Sequence, residues 1–154
     1  EAALRTDAEV ATGEKLENVD FKAVRGVKGI KEATVTLNGK TLNIAVASGL
    51  SNARKIMDDI KAGKSKYHFI EIMCCPGGCV NGGGQPIVDT ATRNLIDVRS
   101  ERAKVLYKKD KKSELRKSHE NPIVKTLYAE FLGEPNSHKA HEVLHTSYVK
   151  RERY

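Results

Sequence analysis

The chain has 154 residues, 39% of them hydrophobic, and a formal net charge of +7 at pH 7. This length allows one or two small domains with a real core, and no run approaches the ~20 apolar residues of a membrane-spanning helix, which excludes a membrane span. The excess of basic residues is greatest after residue 100, where acidic residues interrupt it and aromatic residues are few. This pattern favours a solvated basic face over nucleic-acid binding.

All three cysteines lie close together, at positions 74, 75 and 79. A disulfide framework would spread an even number of cysteines along the chain, so this cluster favours a metal role in a reducing compartment. We therefore expect a cytoplasmic protein. The chain begins at Glu1, without a methionine or a signal peptide, so its N-terminus looks processed or cut and a periplasmic location stays open.

The N-terminal part of the chain predicts a helix followed by a hairpin. Residues 1–12 have helical spacing, and Gly13 ends them. Two runs of alternating apolar residues then flank Asn38-Gly39, a pair that can adopt the positive φ angles of a type I′ turn. We predict a β-hairpin there.

The next segments predict a helix and a strand that lead into the cysteines. Residues 50–61 have helical spacing, with an apolar face formed by Leu50, Ala53, Met57 and Ile60. Residues 67–73 read as a strand that is too apolar for an exposed edge. The order of elements predicts an α/β layer arrangement, with the cysteines beyond the C-terminal end of the last strand, where open α/β sheets place ligand sites.

The remainder of the chain predicts helices only. One helix begins at Asp89 or Thr90 and runs to about Lys109, with apolar positions at Leu95, Val98, Val105 and Leu106; residues 108–118 then form a charged loop. Asn121-Pro122 starts a second helix that Gly133 closes. Ser137 caps a last short helix that carries His138, His141 and His145. These three histidines have a spacing that can bind a metal, and the alternative is a structural face that docks on the rest of the chain.

The segment around the cysteines combines thiols, which are soft metal ligands, with several glycines, which leave the backbone without side chains. Cys75 and Cys79 form the productive pair, because adjacent residues point to opposite sides of a strand and Cys74 therefore faces away from Cys75. Two thiolates suit an iron–sulfur cluster or zinc, each of which needs about four ligands. His68 is a remote third candidate that fits packing or hydrogen bonding better. The alternative is a glycine-rich turn with buried, inert cysteines.

The segment from Glu71 to Pro86, EIMCCPGGCVNGGGQP, closely resembles the third active-site motif of the [FeFe]-hydrogenases. Residues 1–6 resemble the helix that starts just before this family's second-lobe sheet, and segments after residue 101 resemble the hydrogenase small-subunit region. The resemblance covers nearly the whole chain. It implies an α/β fold that is half of a two-lobed catalytic domain, in residues 1–95, followed by a helical small-subunit-like tail in residues 96–154 that packs on it.

The resemblance also implies roles for particular residues. Cys75 and Cys79 match the last two of four cysteines that hold the [4Fe-4S] part of the H-cluster, and the sulfur of Cys79 also bridges to the two-iron subcluster. Met73 matches a methionine that packs against the CO/CN-bearing di-iron unit and shapes its pocket. The family commonly has alanine where this chain has Cys74, which we place beside the cluster without a ligand role.

What the resemblance implies about function depends on motifs that this chain lacks. The whole enzyme catalyses 2 H⁺ + 2 e⁻ ⇌ H₂, but its other two cluster cysteines and its ferredoxin-like domains belong to segments outside this sequence. We therefore expect the chain to hold no complete H-cluster alone and to be inactive without the N-terminal half of the catalytic domain. Ferredoxin or NAD(P)-linked subunits are the expected electron-transfer partners.

A non-catalytic homologue is the alternative function. Such a protein would bind an iron–sulfur cluster or a partner, or act as a sensor, without turnover, and Cys74 keeps this hypothesis open. A distant branch of the family serves cytosolic iron–sulfur assembly and prelamin binding; it tends to carry serine at the position of Gly77, and we expect it to lack the tail. Both features favour the hydrogenase branch.

Overall fold

The computed structural model describes residues 1–152 and contains one three-stranded sheet. Strands β1 (Ile30–Leu37) and β2 (Lys40–Ser48) are antiparallel, with Ile30 opposite Ala47. Asn38 and Gly39 connect them with φ angles of 49° and 73°, as a type I′ turn requires. The predicted hairpin is confirmed, and so is the α/β class of the fold.

Helix α2 (Leu50–Lys61) carries the chain from β2 to strand β3 (Phe69–Met73), which runs parallel to β2. The predicted apolar face of this helix is wrong apart from Ala53. Ile56 is only 2% exposed and packs with Ala45 and Ala47, whereas Met57 is 51% exposed and Leu50 and Ile60 are also exposed. The two small alanines of β2 leave room for Ile56, so the helix turns that side chain toward the sheet.

Strand β3 lies at the edge of the sheet, in the order β1-β2-β3. The sequence predicts that this strand is buried. Within residues 1–152 that prediction is wrong, because Phe69 and Ile72 are 45% and 46% exposed. The composition of β3 suits a strand that is covered on all sides, but β2 is its only hydrogen-bonded neighbour within residues 1–152.

Helix α1 (Ala2–Thr12) ends where the sequence predicts, at Gly13, whose φ is 71°. The single helix predicted after Asp89 is instead two helices, α3 (Thr90–Leu95) and α4 (Val98–Lys112). The side chain of Asp97 accepts hydrogen bonds from the backbone N–H groups of Arg99 and Ser100, so it caps a new helix.

Helix α4 also differs from its prediction in length and in its buried face. It runs to Lys112, so the first part of the predicted loop at residues 108–118 is helical. Two of the apolar positions predicted on it, Val105 and Leu106, are exposed, and so is Leu95 on α3. The buried residue of α4 is Ala103 instead. A helix whose buried face is an alanine is hard to detect from hydrophobic periodicity.

The chain divides into two compact units between Arg116 and Lys117. The second unit contains α5 (Pro122–Leu127), which widens into a π-helix over Tyr128–Leu132, and α6 (His138–Leu144). The caps predicted at Asn121 and Ser137 are confirmed, because each side chain accepts a backbone N–H of its helix. The division at residue 95, by contrast, stays a prediction. No helix within residues 1–152 combines the length and the apolar character needed to cross a membrane.

Candidate functional site

The cysteine loop, defined as residues 74–86, leaves the sheet directly at the end of β3. The backbone N–H of Gly49 donates to the carbonyl of Met73 over 2.8 Å, which ties the end of β3 to the start of α2. The N–H of Gly78 donates to the carbonyl of Cys75 over 2.9 Å and closes a tight turn, and a 3₁₀ turn over Cys79–Asn81 follows. Local backbone bonds therefore hold both ligand candidates in one compact loop.

Two glycines allow this loop to pack closely against its surroundings. Gly77 and Gly78 have φ angles of 82° and 86°, which side chains rarely adopt. A Cβ atom on Gly78 would lie 3.2 Å from both Cε and Sδ of Met73, and one on Gly77 would lie 3.2 Å from Cδ of Arg99. The loop thus rests on the half-buried side chain of Met73.

All three cysteines are free thiols, but their exposure differs. Cys75 is partly buried, whereas Cys74 and Cys79 are exposed. Within residues 1–152, no set of three histidine, cysteine or carboxylate ligand atoms converges at these thiols. Within the described residues, these three thiols therefore do not form a preassembled three-ligand metal site.

Met73 and Cys79 line a cavity of about 210 Å³ between the sheet and α4. Lys31, which is buried, and Glu71 line it too, and both stand opposite Val46 in the same row across the sheet. The ammonium of Lys31 donates to the carbonyl of Gly26 over 3.1 Å. Burial lowers the pKa of Lys31, and the nearby charge of Glu71 opposes that effect.

Arg102 on α4 holds the middle and the C-terminal end of the loop, a role that the sequence analysis missed. Its Nη1 donates to the carbonyl of Val80 over 3.3 Å, and its Nη2 donates to the carbonyl of Pro86 over 2.5 Å. No sequence pattern predicts these contacts, because Arg102 is 22 positions from Val80 and 16 positions from Pro86.

Ser48 was also missed, although its sequence context contained a signal. It is the last residue of β2 and lies opposite Met73 in the sheet. It is 1% exposed, and its hydroxyl has no hydrogen-bond partner within residues 1–152. A polar residue at the end of the apolar run Ile44–Ala47 could have drawn attention to it.

The histidines occupy separate places. Nδ1 of His68 accepts the backbone N–H of Asn43 over 3.0 Å, which confirms the hydrogen-bonding prediction for this residue. In the second unit, the rings of His141 and His145 have centroids 4.6 Å apart. Within residues 1–152, His138, His141 and His145 do not bring three ligand atoms together.

Comparisons with known proteins identify the family. The family described as "Iron only hydrogenase large subunit, C-terminal domain" matches residues 1–83, and the one described as "Iron hydrogenase small subunit" matches residues 96–151. The NADP-reducing hydrogenase subunit HndD of Solidesulfovibrio fructosivorans is 49% identical over 153 residues, which are 99% of this chain and 25% of that protein. The chain thus spans about a quarter of the length of this relative.

A solved structure supports the same relationship. [FeFe]-hydrogenase HydA1 from Chlamydomonas reinhardtii superposes with a TM-score of 0.73 at 42% sequence identity, and the match covers 96% of this chain and 43% of that one. The similarity includes the sheet and the helical tail, since nearly all of this chain is aligned.

A more distant relative corrects one expectation. Protein NAR1 of Arabidopsis thaliana is 35% identical over 152 residues, which are 96% of this chain and 31% of that protein. The alignment therefore extends into the tail, and the expectation that the distant branch lacks a tail was wrong. With more than half of its residues matched by the large-subunit family, the chain belongs to the iron-only hydrogenases and corresponds to their C-terminal part.

Proposed function

We propose that this chain is the C-terminal segment of an [FeFe]-hydrogenase whose complete protein catalyses 2 H⁺ + 2 e⁻ ⇌ H₂. In this proposal Cys75 and Cys79 are two of the four cysteine ligands of the H-cluster. The observation that carries the proposal is the cysteine loop, in which the free thiols of Cys75 and Cys79 flank a glycine turn that packs on Met73 at the end of a sheet strand, in a chain of this family.

The residues present fit a group that binds through sulfur. The loop offers the thiols of Cys75 and Cys79 and, at Gly77 and Gly78, a backbone without side chains. The hydroxyl of Ser48, which has no hydrogen-bond partner within residues 1–152, lies behind it. Cys75 and Cys79 would hold the [4Fe-4S] part, and Cys79 would also bridge to the two-iron part. The bound cluster supplies the electron transfer and the metal centre for hydrogen chemistry.

The other residues of the site have positioning roles in this proposal. Met73 forms an apolar wall on the cluster side of the loop and keeps water from that side. Arg102 fixes the loop from α4, through the carbonyls of Val80 and Pro86. The small-subunit-like segment would therefore help to build the cluster site, since α4 lies within the part matched by that family.

Two cysteines leave the cluster incomplete, so we propose that the chain is inactive alone and works with the N-terminal half of the catalytic domain. Apolar residues on its surface suit such a partner. Phe69 and Ile72 are exposed on the edge strand, and Ile87 and Leu95 are exposed beside the cysteine loop. Large apolar side chains that are exposed in this part of the chain suit a protein partner better than solvent.

We propose ferredoxin or an NAD(P)-linked subunit as the electron-transfer partner. The relative from Solidesulfovibrio fructosivorans is named as a subunit of an NADP-reducing hydrogenase, which supports the second option. We also propose a cytoplasmic location, because the three cysteines are free and unpaired in the structure.

The second candidate function is that of a non-catalytic homologue that binds a cluster or a partner. The similarity to protein NAR1 and to proteins named as probable cytosolic Fe-S cluster assembly factors is its support, together with Cys74. Identity to the hydrogenase subunit, at 49%, exceeds the 35% identity to protein NAR1. This difference favours the catalytic function.

The test compares the chain alone with the complete protein after anaerobic reconstitution, by iron analysis and by H₂ evolution from a reduced viologen dye. We expect H₂ from the complete protein and none from the chain alone. Cys75→Ser and Cys79→Ser should each abolish turnover, whereas Cys74→Ala should retain it. Hydrogen evolution by the chain alone, or by the Cys79→Ser protein, would contradict the proposal.

A further inference from the structure

Ser48 is held rigidly beside the cysteine loop. Its backbone N–H donates to the carbonyl of Gly29 over 2.7 Å, and its own carbonyl accepts the side-chain amide of Asn52 over 2.8 Å. In the sheet it stands opposite Met73, and residues in register on adjacent strands point to the same face. The side chain of Ser48 therefore lies on the face over which the loop folds.

The hydroxyl of Ser48 is buried without a hydrogen-bond partner among residues 1–152. Leaving such a group unsatisfied destabilises a fold, so buried hydroxyls usually form a hydrogen bond. The side chain is 1% exposed, so bulk solvent does not reach it freely.

The neighbour of this hydroxyl is the turn between the two ligand candidates. Oγ of Ser48 lies 3.9 Å from the position that a Cβ on Gly78 would occupy. Gly78 immediately precedes Cys79, and its backbone N–H donates a hydrogen bond to the carbonyl of Cys75. Because Gly78 has no side chain, no Cβ atom stands between the hydroxyl and this turn. The cysteines on either side of the turn would place thiolates, and the group that they bind, close to the hydroxyl.

We propose that Ser48 donates a hydrogen bond from Oγ to a sulfur of the [4Fe-4S] group held by Cys75 and Cys79, either a thiolate or a sulfide, and so raises its reduction potential. Ser48 would thus tune the potential of the cluster by direct contact, and this role rests on the proposed function. Reduction adds negative charge to the cluster, so a donor to sulfur stabilises the reduced state more than the oxidised state.

The test uses the complete reconstituted protein and a redox titration of the [4Fe-4S] signal, followed by electron paramagnetic resonance. Ser48→Ala removes the hydroxyl, and Ser48→Thr is the matched control that retains it. For Ser48→Ala we expect a more negative midpoint potential, with the ratio of reduced to oxidised cluster at a fixed potential falling about fivefold, because the reduced state loses more stabilisation than the oxidised state. The potential of Ser48→Thr should stay near that of the original protein.

An unchanged potential in a loaded Ser48→Ala protein would overturn the inference, as would an equal shift in Ser48→Thr. If Ser48→Ala takes up no iron, Ser48→Gly serves as a second variant without the hydroxyl and should show the same negative shift. Failure of both to take up iron, while Ser48→Thr does, would also overturn the inference, because Ser48 would then be needed for assembly and not for the potential. Absence of any cluster signal in the original protein would instead contradict the proposed function.

Discussion

The guanidinium of Arg5 and the carboxylate of Asp110 form a two-bond ion pair, with Nη1–Oδ1 and Nη2–Oδ2 distances of 2.7 and 2.9 Å. The two residues are 105 positions apart, and Arg5 is only 4% exposed. The same cluster includes four further charged residues, namely Glu1, Asp20, Arg25 and Arg116. Charge therefore fixes the C-terminal end of α4 to α1 within the first unit, although Val105 and Leu106 on α4 are exposed.

Removing the carboxylate charge should destabilise the fold. Asp110→Asn leaves the guanidinium groups of Arg5 and Arg116 without their shared partner, and breaking a largely desolvated pair is costly. We expect the free energy of unfolding in urea to fall by about 1–3 kcal/mol. Glu101→Gln, in the exposed pair with Lys104, is the control and should change it by less than about 0.5 kcal/mol. Equal effects of the two substitutions would contradict the importance of this cluster.

Acid should weaken the same cluster. Hydrogen bonds from Arg5, together with those from Arg116, hold the pKa of Asp110 well below its usual range. A lowered pKa in the folded state means that the stabilisation is fully present above the ordinary carboxyl pKa near 3.8 and is lost as the pH falls through the folded value. The thermal midpoint should therefore drop between about pH 5 and pH 2, and more steeply for the original chain than for Asp110→Asn. Parallel pH profiles would contradict this assignment.

The cysteine loop should not tolerate a side chain at Gly77. Gly77→Ala forces a residue with a Cβ into a φ of 82° and brings that Cβ to 3.2 Å from Arg99. We expect a loss of about 1–2 kcal/mol in the free energy of unfolding. Gly84→Ala is the matched control in the same loop, since Gly84 lacks a positive φ and no atom lies within 4 Å of the position that its Cβ would occupy. Its change should stay within about 0.5 kcal/mol.

Loss of Arg102 should loosen the loop without unfolding the chain. Arg102→Ala removes the donors to the carbonyls of Val80 and Pro86, each worth about 0.5–1.5 kcal/mol. Hydrogen–deuterium exchange should become up to about tenfold faster across residues 79–86, while protection of β1 and β2 stays the same. Arg93→Ala, at an exposed arginine of the neighbouring helix, is the control and should leave this exchange unchanged. Unaltered exchange in Arg102→Ala would show that the loop holds its shape without α4.

The buried face of α2 can be tested with two adjacent residues. Ile56→Ala removes a side chain that packs on Ala45 and Ala47, and such a deletion costs about 2–5 kcal/mol. Met57→Ala removes a side chain that is half exposed and should cost less than about 1 kcal/mol. Denaturant titrations of both variants check the order, and a larger loss for Met57→Ala would mean that the helix faces the other way.

Local chemistry made several elements predictable. Asn38-Gly39 forms the turn of the hairpin, Gly13 ends α1, and Asp89, Asn121 and Ser137 cap their helices. Each of these depends on residues only a few positions apart, so the order of residues contains the necessary information. Asp97 follows the same rule, and its capping of α4 could have been read from the Asp-Val-Arg-Ser segment.

By itself, the sequence determined the family and the α/β class, because these rest on residue identity and short spacing; the ligand roles of Cys75 and Cys79 stay a prediction. Only the tertiary structure decided that Ile56 faces the sheet, that β3 lies at its edge, that Arg102 reaches the loop and that the hydroxyl of Ser48 lies behind it. These relationships join residues far apart in the chain. They depend on which surfaces exclude water when the elements pack, and hydrophobic periodicity within one element does not contain that information.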